Sequence, residues 1–168
     1  MSIENSCFVP FETTLELRDT CLCLHVQRAA RALARRFDEA LRPVGLTNGQ
    51  FSLLMALNRP GPAAMGPVAR LLAMDRTTLT AALKPLERLG LVVIEADPAD
   101  RRSRLLRLTG KGGEVLAAAV PIWRAVHTEV EARLPDPGPD ALRGALAALC
   151  RPGVSEPKAS AEPTGASV

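Results

Sequence analysis

The segment between residues 75 and 108 limits the fold most strongly, because its hydrophobic period changes partway along. Leu79, Leu83 and Leu86 recur at the three- and four-residue steps of an amphipathic helix. Beyond Gly90 the pattern becomes that of two short strands, at about 91–96 and 103–108, separated by a turn. A helix followed at once by a β-hairpin predicts a mainly α fold with a small β-hairpin (α+β).

Capping residues indicate where the helices of this segment begin and end. Asp75 is a favourable N-cap for a helix over about 76–89, and Gly90 occupies the position after the helix that favours glycine. A shorter helix, at about 66–72, precedes it across a tight connection. The order helix, tight turn, helix, hairpin is that of a winged helix-turn-helix.

Amphipathic helices are expected on both sides of this unit. Thr47 and Gln50 have the spacing of a capping box, which predicts the start of its first helix. The chain then divides into a flexible N-terminal arm, a long N-terminal helix, the winged helix-turn-helix lobe, C-terminal helices and a disordered tail. Their predicted ranges are 1–14, 15–46, 47–112, 113–151 and 152–168.

The positive charge is concentrated in the winged unit. Lys and Arg outnumber Asp and Glu by nine to five between residues 70 and 111, whereas the rest of the chain has twelve against thirteen. A local basic surface predicts a polyanionic partner, here double-stranded DNA. Without a signal peptide or an apolar run of about 20 residues, the sequence predicts a cytoplasmic protein with reduced cysteines and no membrane partner.

The residues expected to contact DNA lie on the second helix of the motif and on the hairpin. Thr77, Thr80 and Lys84 share one helix face with Ala81, opposite the leucines, and are expected to approach base edges. Backbone phosphates are expected to be held by Arg76 and Thr78. At the hairpin tip, arginines can reach a minor groove or flanking phosphates, and an aspartate can pair with one of them and hold the tip in shape. These are Arg101, Arg102 and Arg104, with Asp100.

Two other classes of function compete with DNA binding. A winged helix can serve protein contacts alone, without specific DNA affinity. An enzyme is not favoured, because residues 110–113 lack the spacing of a phosphate-binding loop and no Ser/His/Asp pattern stands out. No cofactor or metal is expected, since two histidines are too few to argue for a metal site.

Three segments resemble the MarR family of transcriptional regulators. Residues 45–51 (GLTNGQF) are similar to that family's "GLT-x-x-QF" run, and 86–92 (LERLGLV) to its "LE-x-x-GLV" exit from the recognition helix. Residues 97–102 (DPADRR) followed by 108–112 (LTGKG) are similar to its wing. The resemblance implies a homodimer whose first and last helices interlock and whose two winged lobes grip a pseudo-palindromic operator. It implies repression relieved by a small molecule or an oxidant. Pro85, inside the recognition helix, departs from the pattern.

Cys21 and Cys23 are candidates for a redox site. Counted back from Gln50, Cys23 falls where the OhrR-type peroxide sensors of that family carry their reactive cysteine, and a helix N-terminus favours the oxidisable thiolate. The tyrosines of those sensors are absent here, and Phe37 lies where one of them would be. The alternative is that both cysteines are small apolar residues packed in a dimer core.

A ligand pocket is the other route to regulation. His25, Trp123 and His127 are candidates to line it, and Trp123 and His127 share a helix face at i, i+4. The alternative for each of them is ordinary packing.

Overall fold

The computed structural model describes residues 9–100 and 102–151 as seven α-helices, one 3-10 helix and three short strands. The N-terminal helices are α1 (Phe11–Thr20) and α2 (Leu22–Leu41), followed by the 3-10 helix Arg42–Val44. The winged unit comprises α3 (Asn48–Leu57), β1 (Ala63–Ala64), α4 (Met65–Leu71), α5 (Arg76–Arg88), β2 (Val92–Ala96) and β3 (Arg104–Leu108). The chain continues into α6 (Gly110–Glu131) and α7 (Pro139–Leu149). The expected mainly α fold with a β-hairpin wing is confirmed.

The predicted helix caps are present in the structure. The Thr47 hydroxyl accepts a hydrogen bond from the Gln50 amide, and the Gln50 side chain accepts one from the Thr47 amide at 2.9 Å, which completes a capping box. Asp75 caps α5. Thr109 forms a cap of the same kind at the start of α6, where its hydroxyl accepts from the Gly112 amide at 2.9 Å. Gly90 follows α5 with a φ of 70°, a conformation that costs other residues energy.

The sheet has three antiparallel strands in the order β1-β3-β2. The hairpin pairs Val92 with Leu108 and Ala96 with Arg104, close to the predicted strand limits. Strand β1 was not expected, because two alanines carry no strand pattern. It pairs with the far edge of β3, where Ala63 lies opposite Leu106.

One leucine-rich core holds the winged unit together. The inner face of α5 is fully buried and packs with side chains from α2, α3, α4 and the sheet. At about 25 cal/mol per Å² of apolar surface, burial of each such leucine contributes on the order of 2 kcal/mol. The fully buried leucines of this core are Leu41, Leu53, Leu54, Leu79, Leu83, Leu86 and Leu106.

The N-terminal region differs from the expectation of an arm over 1–14 and a single helix over 15–46. Helix α1 already begins at Phe11, and it ends at Thr20 because Cys21 adopts an extended conformation (φ −72°, ψ 103°). The expected long helix is therefore two helices and a 3-10 turn. Residues 1–8 and the predicted tail, 152–168, lie outside the described residues.

Helices α1 and α7 are the least packed elements of the protomer. Neither contains a buried residue, and several of their apolar side chains are largely exposed. The exposed side chains include Phe11 and Leu17 on α1 and Leu146 and Leu149 on α7. None of the helices in the described part of the chain is long and apolar enough to cross a membrane.

Candidate nucleic-acid interface

Helix α5 begins with a tightly bonded cap. The Asp75 carboxylate accepts from the Thr78 amide at 2.8 Å and from the Thr78 hydroxyl at 2.7 Å. The Thr78 hydroxyl, and then the helix amides, hold the pKa of Asp75 below its usual range. Both donors of Thr78 are thus occupied, so a phosphate would have to displace the Asp75 carboxylate to be held by Thr78 as the sequence suggested.

The exposed face of α5 is small, polar and basic. Its exposed residues surround one shallow depression on the surface, opposite the fully buried Leu79, Leu83 and Leu86. This arrangement fixes the helix to the core by one face and leaves the other free to enter a groove. The residues around the depression are Arg76, Thr77, Thr80, Ala81 and Lys84.

The Thr80 hydroxyl acts as a hydrogen-bond donor within its own helix. It donates to the backbone carbonyl of Arg76 at 2.7 Å. Its proton is therefore used within the helix, which leaves the oxygen of this exposed hydroxyl available to accept a hydrogen bond from DNA. Such a hydroxyl can accept from an exocyclic amino group of adenine or cytosine, and its methyl group can contact thymine.

Backbone hydrogen bonds shape the tip of the wing. The Asp97 carboxylate accepts from the Ala99 amide at 2.9 Å, and the Asp100 carboxylate accepts from the Arg102 amide at 3.0 Å. Asp100 therefore holds the tip in shape, as expected, but through a main-chain amide of Arg102. Among the described arginines of the tip, neither Arg102 nor Arg104 forms an ion pair with Asp100, and Arg101 lies outside the described residues. Side-chain bonds to backbone amides are the usual means of stabilising such turns.

The wing arginines differ in position. Arg102 is exposed at the tip, Arg104 is exposed at the start of β3, and Arg101 lies outside the described residues. Arg107, farther along β3, is paired with Glu95 at 2.8 Å. The free positive charge of the described wing is thus nearest to the tip.

The wing is anchored to both neighbouring helices. The Thr109 hydroxyl donates to the Gly90 carbonyl at 2.7 Å while its amide donates to the Leu91 carbonyl at 3.1 Å. Lys111 reaches back to the Leu89 carbonyl at 2.9 Å. The end of α5, the start of β2 and the start of α6 are therefore held as one unit, which fixes the recognition helix relative to the hairpin.

The cysteines lie where α1 meets α2. Cys21, rather than Cys23, is the N-cap of α2, and its sulfur accepts from the Leu24 amide at 3.5 Å. Cys23 is exposed, and its sulfur accepts from the Gln27 side chain at 3.1 Å. The two thiols do not share one continuous helix, contrary to the expectation. Within the described residues, no three or more His, Cys, Asp or Glu side chains converge as a metal site would require.

The candidate effector residues do not form one group. Trp123 stacks on His127, with ring centroids 4.7 Å apart, and on Phe51 of α3 at 6.1 Å. His25 lies instead at the start of α2, with its Nε2 atom 3.3 Å from the Asp19 carbonyl. The i, i+4 spacing correctly predicted that Trp123 and His127 share a helix face. His25 lies in a separate groove of the same chain, so it does not line one pocket with them within a single copy.

Trp123 lines a cleft of about 550 Å³ between α3, the end of α4 and α6. This volume lies within the range of small-molecule sites, and the walls are mainly apolar, with Arg124 at the edge. Phe51 is buried, whereas Met55, four residues later on the same helix, is 41% exposed, toward this cleft.

Comparison with known proteins agrees with this architecture. The sequence profile of the MarR family matches residues 44–103. "Transcriptional activatory protein BadR" of Rhodopseudomonas palustris is 36% identical over 113 residues, which are 65% of this chain and 65% of BadR. The chain thus spans about two thirds of the length of this relative.

Two solved structures are similar over most of their length. The Mycobacterium tuberculosis transcriptional regulator MosR, in complex with DNA, is 40% identical with a TM-score of 0.71, over 77% of this chain and 93% of MosR. The transcriptional repressor CouR, bound to a 23-mer DNA duplex, is 32% identical with a TM-score of 0.70, over 80% of this chain and 96% of CouR.

Proposed function

This chain belongs to the MarR family, and we propose that it is a homodimeric, sequence-specific DNA-binding transcriptional regulator that acts in the cytoplasm, without enzymatic activity. Repression of a promoter that overlaps its operator is the proposed mode of regulation. The DNA-bound structures of MosR and CouR support binding to DNA, and the description of CouR as a repressor supports repression by this chain.

The observation that carries the proposal is the division of α5 into two faces. Three fully buried leucines hold it to the core, and the opposite face presents small polar and basic side chains. A wing with an exposed arginine is held rigidly beside it. A helix that enters a major groove needs this combination, because large side chains on its outer face would prevent the helix from approaching the base edges.

Distinct roles are proposed for the residues of this surface. Thr77, Thr80 and Lys84 approach base edges, and Arg76 binds a phosphate. Arg101, Arg102 and Arg104 contact the flanking minor groove or its phosphates. Thr78 acts through Asp75, as part of the cap that orients the first turn of α5.

Fluorescence anisotropy with the duplex upstream of the protein's own gene tests these roles. We expect Arg102→Ala to weaken binding to all sequences and to lower the slope of log K against log salt by about one unit per phosphate contact, or about two for a dimer. Arg151→Ala removes the same charge at the end of α7 and is the matched control, with unchanged binding. Equal binding by wild type and Arg102→Ala would remove the wing from the proposal.

The competing function, a winged helix used for protein contacts only, predicts a different result. Wild-type protein would then bind the upstream duplex and a shuffled duplex equally and weakly, and Lys84→Ala would change neither. We expect instead that Lys84→Ala weakens binding to the upstream duplex more than to the shuffled one, because a base contact carries sequence information and a phosphate contact does not.

Dimerisation is proposed to occur through the terminal helices. Their exposed apolar side chains, such as Phe11 on α1 and Leu149 on α7, have no cover within the described part of the protomer. A second copy would cover them, since contiguous exposed apolar surface marks an interaction site. Sedimentation of the full chain as a dimer at micromolar concentration is expected.

Release from DNA is proposed to follow binding of a small, mainly apolar ligand in the cleft beside Trp123. A ligand there touches α3, α4 and α6 together, and it lowers DNA affinity only if it binds the released conformation more tightly. Quenching of Trp123 fluorescence should accompany DNA release. Met55→Phe, which narrows the cleft without adding a second tryptophan, should weaken both effects while operator binding without ligand persists.

Oxidation is the second candidate route of release. The exposure of Cys23 in the first turn of α2 supports it, because an oxidant can reach this sulfur from solvent. DNA release by an organic peroxide, lost in both Cys21→Ser and Cys23→Ser, would establish this route. Release that persists in both variants would exclude it.

A further inference from the structure

A proline interrupts the backbone hydrogen bonding of the recognition helix α5. Pro85 lies in the interior of this helix, three residues before its end at Arg88. Its ring nitrogen carries no hydrogen, so it cannot donate to the carbonyl four residues earlier, which is that of Ala81. The helix nevertheless continues beyond Pro85, because the Leu89 amide donates to the Pro85 carbonyl at 3.0 Å. One carbonyl in the middle of α5 therefore lacks its helical donor.

The carbonyl of Ala81 gains no replacement donor from a side chain. The neighbouring Thr80 hydroxyl is bonded instead to the Arg76 carbonyl, at 2.7 Å. No side chain in the described part of the chain donates to the Ala81 carbonyl. Ala81 itself is exposed and borders the surface depression of α5 together with Thr77 and Lys84. The free acceptor thus belongs to the face of α5 that is proposed to enter the major groove.

Pro85 differs from the other prolines of the described α-helices. Pro67 and Pro139 lie in the first turns of α4 and α7, where a backbone amide has no helical partner in any case. Pro121 of α6, like Pro85, lies in a helix interior and removes one helical hydrogen bond. Of these two interior prolines, Pro85 is the one whose freed carbonyl lies in the candidate nucleic-acid interface.

A free carbonyl on a reading helix selects its partner by chemistry. Its oxygen accepts hydrogen bonds and donates none, so it is repelled by phosphate oxygens and by the acceptor atoms of guanine and thymine. The donors in the major groove are the exocyclic amino groups of adenine and cytosine. The side chains of Thr77, Thr80 and Ala81 are short, which lets the backbone approach the base edges. An ordered water can bridge a remaining gap, as is common in protein–DNA interfaces.

We propose that Pro85 is a specificity-determining residue: it frees the Ala81 carbonyl to accept a hydrogen bond from the exocyclic amino group of adenine or cytosine at one position of each half-site. This inference rests on the proposed binding of a two-fold operator through α5. An alanine at position 85 would supply the missing amide. The amide would occupy the Ala81 carbonyl within the helix, and the acceptor would no longer be available to DNA.

Pro85→Ala tests the proposal, with Pro121→Ala as its matched control. Each variant restores one helical amide, so both should raise Tm, which also shows that they fold. Selection from random-sequence DNA should recover the wild-type site with both variants. With Pro85→Ala, however, the preference for adenine or cytosine should be lost at one position of each half-site. Pro121→Ala should retain the wild-type preference at every position.

Base analogues separate the role of the carbonyl from a change in the direction of α5. Purine in place of adenine, or pyrimidin-2-one in place of cytosine, removes the exocyclic amino group from the base. At the position that the selection identifies, this change should weaken wild-type binding about fivefold per half-site, a typical loss for one hydrogen bond. Binding of Pro85→Ala should not respond to it. Fluorescence anisotropy with the natural and the substituted duplex measures both effects.

Two results would overturn the inference and leave the regulator proposal intact. One is a Pro85→Ala variant that retains the wild-type preference at every position. The other is an analogue that weakens binding of wild type and Pro85→Ala equally, since the preference would then depend on the direction of the helix. Recovery of unrelated sequences by the wild-type protein, which is seen before any variant is compared, would overturn both proposals.

Discussion

Substitution of Gly112 by alanine tests why the start of α6 requires glycine. A Cβ atom at Gly112 would lie 2.0 Å from the Leu91 carbonyl oxygen, 3.0 Å from its carbon and 3.2 Å from a Leu108 methyl group. The nearest of these is backbone, so α6 or β2 would have to move by roughly 1 Å or more to relieve the contact. That movement would also stretch the bonds of Thr109 to Gly90 and Leu91.

We expect Gly112→Ala to lower the free energy of unfolding by about 3 kcal/mol, at the upper end of typical overpacking costs. For a chain of this size this corresponds to a fall in Tm of about 10 °C. Thermal unfolding followed by circular dichroism, at one fixed protein concentration because a dimer's Tm depends on it, is the measurement.

Gly113→Ala is the matched control for this prediction. It lies in the same helix with nothing within 4 Å of its added Cβ atom, so alanine there should stabilise the helix by up to about 1 kcal/mol. Equal Tm values for Gly112→Ala and Gly113→Ala would refute the reasoning, since they would mean that the close approach to Leu91 has no energetic consequence.

Three further predictions concern the cap, the reading face and the last helix. The pKa of Asp75 is lower in the folded protein than in the unfolded chain, where it is about 4, so the stabilisation from its cap is fully present above pH 4 and is lost as the pH falls through the lower folded value. Asp75→Asn should therefore reduce the dependence of the free energy of unfolding on pH in this acid range. An unchanged dependence would contradict this role of the cap. Thr80→Val removes the hydroxyl acceptor but keeps the shape of the side chain, so operator affinity should fall about fivefold, and base preference should be lost at one position of each half-site. Thr80→Ser keeps the hydroxyl and should retain the base preference at that position. The Glu131 carboxylate accepts from Arg143 of α7 and lies 3.1 Å from the His127 ring. Glu131→Gln should therefore speed amide hydrogen exchange in α7 while it changes the free energy of global unfolding by less than about 1 kcal/mol. Unchanged exchange would show that this contact does not hold α7 in place.

Features set by local chemistry were predictable from the sequence. The caps at Thr47, Asp75 and Thr109 each depend on a side chain bonding an amide three residues ahead, so spacing alone identifies them. The faces of α5 follow from helical periodicity in the same way. The stacking of Trp123 on His127 is also a consequence of i, i+4 spacing.

Features set by distant contacts were not predictable. Strand β1 exists because β3 offers an open edge to Ala63 and Ala64, which have no strand pattern of their own. The break at Cys21 interrupts a region that contains neither proline nor glycine, so no breaker residue marks it. The commitment of Thr78 to Asp75, and the distance of His25 from Trp123, depend on side-chain geometry that spacing does not specify.

Selection of bound duplexes from random-sequence DNA tests the central claim most directly, since it requires both a reading helix and a two-fold assembly. We predict enrichment of one pseudo-palindromic site whose half-sites lie about 10 base pairs apart, centre to centre, and loss of that enrichment with Lys84→Ala. Recovery of unrelated sequences by the wild-type protein, with binding that depends on salt but not on sequence, would contradict the account.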